Sequence, residues 1–580
     1  MKRLKLYLLR YKKHYIAGAV FAVLTSIAGI FIPWILKYAV DDLSKNISYK
    51  IIFRYSGLII LVSIAEGVFR YFMRKITISA SRRIEYDLRN DYFTKLQKLP
   101  LSFYDQNNTG DLMSRGTSDL NAIRMLLGPG IMYSADTITT FIFAFTMMIL
   151  IDVKLSVLSL IPLIFLTIII SNIGRKLYRL HETVQEKISG VSRAAQEYIS
   201  GIRIIKSFAR EETISLNFRE KSHEYLQANL KVTKMWGMFF PLMSLMAGLS
   251  TLIVLLFGGK MVILKTITLG EFVAFSGFLA LLVWPMMAIG WVVNLVQAGL
   301  ASMKRVDMVL DHISSLKIVP PDVKPRKLSG KIEFKNLNFS YPGKNDQIIK
   351  NINLVINPGE IVAVMGKIGS GKTTLVNLIA HFYEIGNDML FIDNEDINNI
   401  PMLTLREYIG FVPQETFLFS DSIKNNIIYG LKNTPPDNII EESAANAGML
   451  NEINGFPEKF ETMLGERGIN LSGGQKQRMS IARTLITNPS IIIFDDCFSS
   501  MDIETEKIIM KRLEAKIKGQ TIIIIGHRTS TIRMAEKIVV LDEGRIAESG
   551  THEALLKKNG LYAELYYLES LKEELEDNAP

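Results

Sequence analysis

Apolar residues lie in long, nearly uncharged runs over the first half of the chain and in short strand-length runs over the second. The change comes near residue 310. The stretches 16–36, 155–174 and 236–259 hold no charged residue, and 272–303 holds none over 32 residues. A helix needs about 20 mostly apolar residues to cross a bilayer. The longest run has residues to spare, so it should tilt or project beyond the bilayer. Two weaker runs complete the set: 56–73, with Glu66 and Arg70 inside it, and 131–151, with Asp136 near its start. Spans are therefore predicted at about 16–36, 56–73, 131–151, 155–174, 236–259 and 272–297. Glu66 and Arg70 are four apart with the acid first, the favourable order for a same-face ion pair. They read either as a self-neutralised pair near the headgroups or as a polar spot facing a substrate cavity.

Basic residues then orient the spans. The connection 74–124 holds nine Lys/Arg and 175–234 holds twelve. On the other side, 152–154 holds one, 260–271 two and 37–54 four. The two long connections are expected in the cytoplasm. Six spans return the chain to its starting side, which places both termini and everything after residue 310 in the cytosol. The first run is too long for a cleaved signal peptide, and no small-residue cleavage site follows it. The opening residues, MKRLKLYLLRYKKH, alternate basic and apolar, as an amphipathic helix on the inner leaflet would.

Composition sharpens this. Hydrophobic residues are 48% of the 580, which excludes intrinsic disorder. Cys497 is the one cysteine, so no intramolecular disulfide forms and a secreted disulfide scaffold is excluded. The net charge of +10 calls for no nucleic-acid partner, because much of it falls in the two long connections and the basic N-terminus.

Residues 1–310 thus read as a membrane domain and 311–329, with Pro320, Pro321 and Pro325, as a linker. From residue 330 short Ile/Val-rich strands alternate with helical segments, an α/β pattern. Gly366 to Thr373, GKIGSGKT, fits G-x-x-x-x-G-K-[ST] between a predicted strand at 361–365 and a predicted helix at 374–380. Backbone N–H groups at Gly366, Lys367, Gly369, Ser370, Gly371 and Thr374 can close around phosphate oxygens, helped by the helix N-terminus. Lys372 can reach the β and γ phosphates, and the Thr373 hydroxyl can ligate Mg²⁺. A second apolar strand, 491–494, ends in Asp495, a carboxylate suited to the same Mg²⁺.

Leu471 to Gln475, LSGGQ, is the discriminating motif. With the six spans it makes the chain resemble the ATP-binding cassette (ABC) exporters, as a half-transporter with one membrane domain followed by one ATPase domain. The resemblance covers essentially the whole chain. It implies a six-span α-helical membrane domain with long cytoplasmic helical extensions, then an α/β P-loop ATPase domain of ABC type over 330–580. It implies ATP and Mg²⁺ as cofactors and ATP hydrolysis coupled to export, or outer-leaflet flipping, of amphipathic or hydrophobic compounds across the cytoplasmic membrane, as in multidrug efflux. It assigns Tyr341 to stacking on adenine, Gln414 to sensing Mg²⁺ and the attacking water, His527 to the γ-phosphate, and Ser472, Gly473, Gly474 and Gln475 to a nucleotide held by the partner chain. The segments 102–112 and 201–208 resemble the helices that carry motion between domains. A soluble cassette ATPase would lack the spans. An importer would usually keep its membrane and ATPase parts on separate chains. A channel on an exporter scaffold would leak ions.

The chain departs from the family at one position. Where these proteins usually carry glutamate to polarise the attacking water, this one has Asp496. Aspartate is one methylene shorter, about 1.5 Å of reach. A misplacement near ~1 Å can cost on the order of a hundredfold in rate. The site on this chain's phosphate loop is therefore expected to bind ATP well and hydrolyse it slowly. The intact signature would complete a competent site on a partner that keeps the glutamate. This pattern resembles one half of the bacterial heterodimeric multidrug-type exporters. The alternative is a homodimer with two active sites. Cys497, beside Asp496, reads as a small packing residue.

Overall fold

The computed structural model of the chain describes residues 2–45, 48–312, 327–344, 346–516, 519–526 and 528–577. Most of the predicted linker and His527 lie outside the described residues. The described residues form two compact units, one of 2–97 with 109–312 and one of 98–108 with 327–577.

The first unit opens with a short helix, α1 (Lys2–Arg10). Six helices long and apolar enough to cross a membrane follow: α2 (Lys12–Lys45), α3 (Tyr49–Gln97), α5 (Thr109–Ile151), α6 (Val153–Ser200), α7 (Glu211–Ile263) and α8 (Leu269–Leu310). They run well past the apolar stretches. The 49 residues of α3 measure roughly 70 Å at 1.5 Å per residue, against about 30 Å of hydrocarbon. Helix α5 contains two π turns, Arg115–Asp119 and Leu126–Gly130, the second around Pro129. Proline has no N–H to give the ladder, and the wider turn accommodates its ring.

Small residues set the helix crossings, as expected where lipid supplies little drive for helices to associate. A Cβ on Gly18 of α2 would lie 2.5 Å from Thr77 of α3, and one on Gly299 of α8 would lie 2.4 Å from Leu126 of α5. Helix α1 behaves differently from a free surface helix. Arg3 pairs with Asp311 at 2.5 Å and Arg10 with Asp87 at 2.8 Å, so part of its polar face is turned to the ends of α8 and α3. Leu6 and Leu9 are left exposed.

In the second unit, α4 (Leu101–Gln106) joins ten strands. The antiparallel sheet has the order β2–β1–β4–β5, with β1 (Ile332–Phe339), β2 (Ile349–Ile356), β4 (Leu390–Ile392) and β5 (Glu395–Asp396). The larger sheet has the order β10–β9–β3–β8–β7–β6. Its strands are β3 (Ile361–Gly366), β6 (Ile409–Val412), β7 (Ile491–Asp495), β8 (Thr521–Ile525), β9 (Lys537–Asp542) and β10 (Arg545–Gly550). All pair in parallel except β10. Every residue of β7 and β8 is buried, which is why those strands read as solid isoleucine runs rather than as alternation. In such sheets ligands bind beyond the carboxyl ends of the strands, and β3 and β7 end there in Gly366 and Asp495.

Candidate functional site

The loop after β3 turns into α9 (Lys372–Ile379). Two glycines make the turn. Gly366 adopts φ 146°, and a Cβ there would sit 2.2 Å from the Leu541 carbonyl oxygen; Gly371 adopts φ 99°. Both conformations are strained for any side chain. The loop is held in shape by Lys372, whose Nζ donates to the carbonyls of Gly366 at 2.7 Å and Lys367 at 2.9 Å. Burial pulls the lysine below its usual pKa, while Asp496 and Asp495 oppose that shift. The Ser370 hydroxyl is buried with no hydrogen-bond partner. An orphaned donor in a loop of small residues at a helix N-terminus fits a polyphosphate.

Across from the loop, Thr373 Oγ1 donates to Asp495 Oδ1 at 3.0 Å. Burial pushes the Asp495 carboxyl up to about 6, with the Thr373 hydrogen bond opposing and the neighbouring Asp496 charge adding to the rise. Among the described residues no group of three or more His, Cys, Asp or Glu is placed to hold a metal. One carboxylate, one hydroxyl and phosphate oxygens suit Mg²⁺, which keeps several waters and uses few protein ligands. Asp496 adopts a left-handed φ of 47°, and its carboxylate accepts from Gln414 Nε2 at 3.1 Å. Asp495, Thr373, Asp496 and Gln414 thus come together.

The signature opens α10 (Gly473–Leu485) with a capping box. Ser472 N donates to the Gln475 side chain at 2.9 Å, and Gln475 N donates to Ser472 Oγ at 3.3 Å. Gln475 and Arg478 also hold Glu452, at 2.9 and 2.7 Å. The Ser472 hydroxyl accepts in the box and keeps its own proton to donate. Gln477 accepts from Ser500 N at 3.2 Å, tying this helix to the loop that follows Asp495.

With that geometry in view, comparison with known proteins is decisive. The family model of the ABC transporter transmembrane region matches residues 15–286, and a second family model, described as ABC transporter, matches 349–499. A Bacillus subtilis protein named probable multidrug resistance ABC transporter ATP-binding/permease protein YheI is 35% identical over 98% of each chain. The chain belongs to the ABC transporter family. An ATP-dependent lipid A-core flippase of Syntrophus aciditrophicus is 34% identical over 93% of this chain and 89% of its own. A solved structure of a bacterial Atm1-family ABC exporter with ATP bound aligns with a TM-score of 0.77 at 26% identity, covering 96% of this chain and 98% of that one. The chain is an ABC exporter half-transporter, a multi-pass membrane protein with fused membrane and ATPase domains, and it couples ATP hydrolysis to transport.

Two features of this ABC exporter's site were not expected from its sequence. Tyr341 meets Tyr383 edge to face, with ring centroids 5.0 Å apart, and its hydroxyl is 2.9 Å from that of Thr374. Tyr383 in turn donates to Asp105 of α4 at 2.8 Å, so the tyrosine assigned to adenine is one ring away from a segment of the long basic connection. The other is Glu506, fully buried, which accepts from Arg528 at 2.6 Å, Ser530 at 2.6 Å and Thr531 at 2.8 Å. Arg528 also donates to the Met501 carbonyl at 2.7 Å. These contacts brace the segment beside position 527 against the loop beyond Asp495.

Proposed function

We propose that the chain is one half of a heterodimeric exporter of amphipathic or hydrophobic compounds across the cytoplasmic membrane. Its own phosphate loop forms the slow site, and its signature completes a fast site on a different partner chain that carries glutamate at the base position. Asp496 carries this reading: the side chain is a methylene short and is already engaged by Gln414 at 3.1 Å. ATP with Mg²⁺ would be held by Gly366 to Thr374, Asp495 and Gln414, with Tyr341 on the adenine and His527 near the γ-phosphate. The Lys/Arg excess in 74–124 and 175–234 supports cytosolic termini and a cytosolic ATPase domain. Ile204 and Phe208, 66% and 73% exposed at the tip between α6 and α7, offer apolar contact to a second chain.

The test is turnover by the chain purified alone. The heterodimer reading expects little hydrolysis. Robust turnover that disappears in Asp496→Ala would sink it in favour of a homodimer, the alternative that the intact His527 keeps open. Co-expressed with its partner, Asp496→Glu is expected to raise hydrolysis at this site about tenfold or more. No change would count against reach as the defect.

A further inference from the structure

Within the first unit a cavity of about 460 Å³ opens between α2, α3, α5 and α8. That volume lies in the ~300–1,000 Å³ range of small-molecule sites. Helix α3 lines it with Glu66, Arg70, Met73 and Arg74, spaced so that successive turns present one face. Helix α5 contributes Asp136, and α8 contributes Trp284. Glu66 and Arg70 satisfy each other at 2.5 Å, and both line the cavity. Asp136 and Arg74 are different. Among the described residues neither side chain makes a hydrogen bond or ion pair with another side chain; Asp136 meets the charges of Arg70 and Arg74 only through space, and all three line the same cavity. Ionisable groups at membrane depth are expensive and pair unless a ligand or water answers them.

Position along the spans orders the cavity. Arg74 ends the apolar run of α3 and Asp136 lies near the start of that of α5, where both runs abut the basic connection. Thr25 and Trp284 come from the middles of their runs. Charged groups therefore run from one leaflet boundary, at Arg74 and Asp136, to the middle of the span at Glu66, where Thr25 and Trp284 join the lining.

Building on the exporter reading above, we propose that this cavity takes an amphiphile with a zwitterionic head, its cationic group on Asp136 and its anionic group on Arg74. The tail lies toward Trp284. One carboxylate and one guanidinium left over after the Glu66–Arg70 pair leave the lining electrically balanced. A singly charged head would bring net charge to that balanced lining at membrane depth. A lipid of the inner leaflet or a zwitterionic drug supplies the same chemistry.

The experiment uses the full chain with its partner in phosphatidylglycerol nanodiscs. Three probes share a tetradecyl chain and differ in the head: phosphocholine, trimethylammonium and sulfate. Equilibrium binding is expected to favour the phosphocholine by about tenfold or more over either other probe. Asp136→Asn should erase the preference over the sulfate, Arg74→Gln the preference over the ammonium, and Asp136→Glu should keep both. Equal binding of the three probes, a singly charged probe that binds best, or preferences that survive both neutralisations would overturn the proposal. Stimulated ATP hydrolysis is read in parallel. Selective binding without stimulation keeps the cavity assignment and counts against the exporter reading. Stimulation without head-group selectivity does the reverse. A short-chain phosphatidylcholine against a non-lipid zwitterion of equal length separates the two sources.

Discussion

At the end of β7, Asp495 and Asp496 each accept a hydrogen bond from a side chain, and Glu506 nearby accepts three. In the membrane cavity, Asp136 and Arg74 face the same space without such a partner. Both places hold charge out of bulk water, where an unpaired ion is costly. The ATPase domain answers its charges from within, because its ligand is always the same triphosphate and the surrounding residues can be fixed. The membrane domain holds two opposite charges that meet only through space, an arrangement that suits cargo bringing the matching charges.

That contrast has measurable edges. The largest effect is expected at Glu506. Glu506→Ala removes three accepted hydrogen bonds and strands Arg528, and breaking a buried pair costs about 3–5 kcal/mol. Thermal unfolding of the ATPase domain should show the loss, whereas Asp136→Asn, with no ion pair to lose, should leave the membrane domain as stable as before. A comparable loss at Asp136 would break the contrast.

Lys372→Ala comes next. It removes a charged donor from the phosphate loop, where such a hydrogen bond is worth about 1.5–3 kcal/mol, or roughly tenfold to a hundredfold in affinity. A fluorescent ATP analogue would report it, and unchanged affinity would contradict the loop's assignment. A pH series follows. His381 is 3% exposed, and burial holds its pKa below the usual histidine range. The unfolded chain takes up a proton near pH 6.5 that the folded one resists, so stability is full above that pH and falls as pH drops through it. The slope is at most about 1.4 kcal/mol per pH unit for one group. Melting curves at about pH 7.5 and about pH 5.5 should diverge less in His381→Gln. The smallest effect belongs to Tyr383→Phe, which deletes the hydroxyl given to Asp105 and keeps the ring beside Tyr341. A double-mutant cycle with Asp105→Asn should return about 0.5–1.5 kcal/mol. A zero coupling would mean that the contact is incidental.

What the sequence made legible follows the reach of each signal. The phosphate loop, Asp495 and LSGGQ are local patterns fixed by one ligand, so the strands and helices around them could be placed within a residue or two: the predicted strand 361–365 is Ile361–Gly366, and 491–494 is Ile491–Asp495. The six spans were legible because bilayer thickness sets a minimum run of apolar residues. Helix length was not: α3 goes on to Gln97, long after its apolar run ends, because nothing about leaving the bilayer terminates a helix. Glu506, Tyr383 and Asp105 were missed for another reason. Each acts through a partner between 22 and 278 positions away, and no periodicity records such a meeting. The cavity falls between these cases. Glu66, Arg70 and Asp136 stood out as charges in apolar runs, but only the packing of four helices shows that they share one space.

Cys497 lies fully buried beside Asp496, and burial holds its thiol well above the usual range. A thiol that neither ionises nor meets solvent is inert to alkylating and spin-labelling reagents. The natural chain therefore comes with a silent background for site-directed labelling. A single cysteine introduced at an exposed position of α4 or at the α6–α7 tip would be the one reactive thiol per protomer, with no prior mutation needed. Distances between two such labels could then follow the assembled transporter through its cycle with the nucleotide site left in its native sequence.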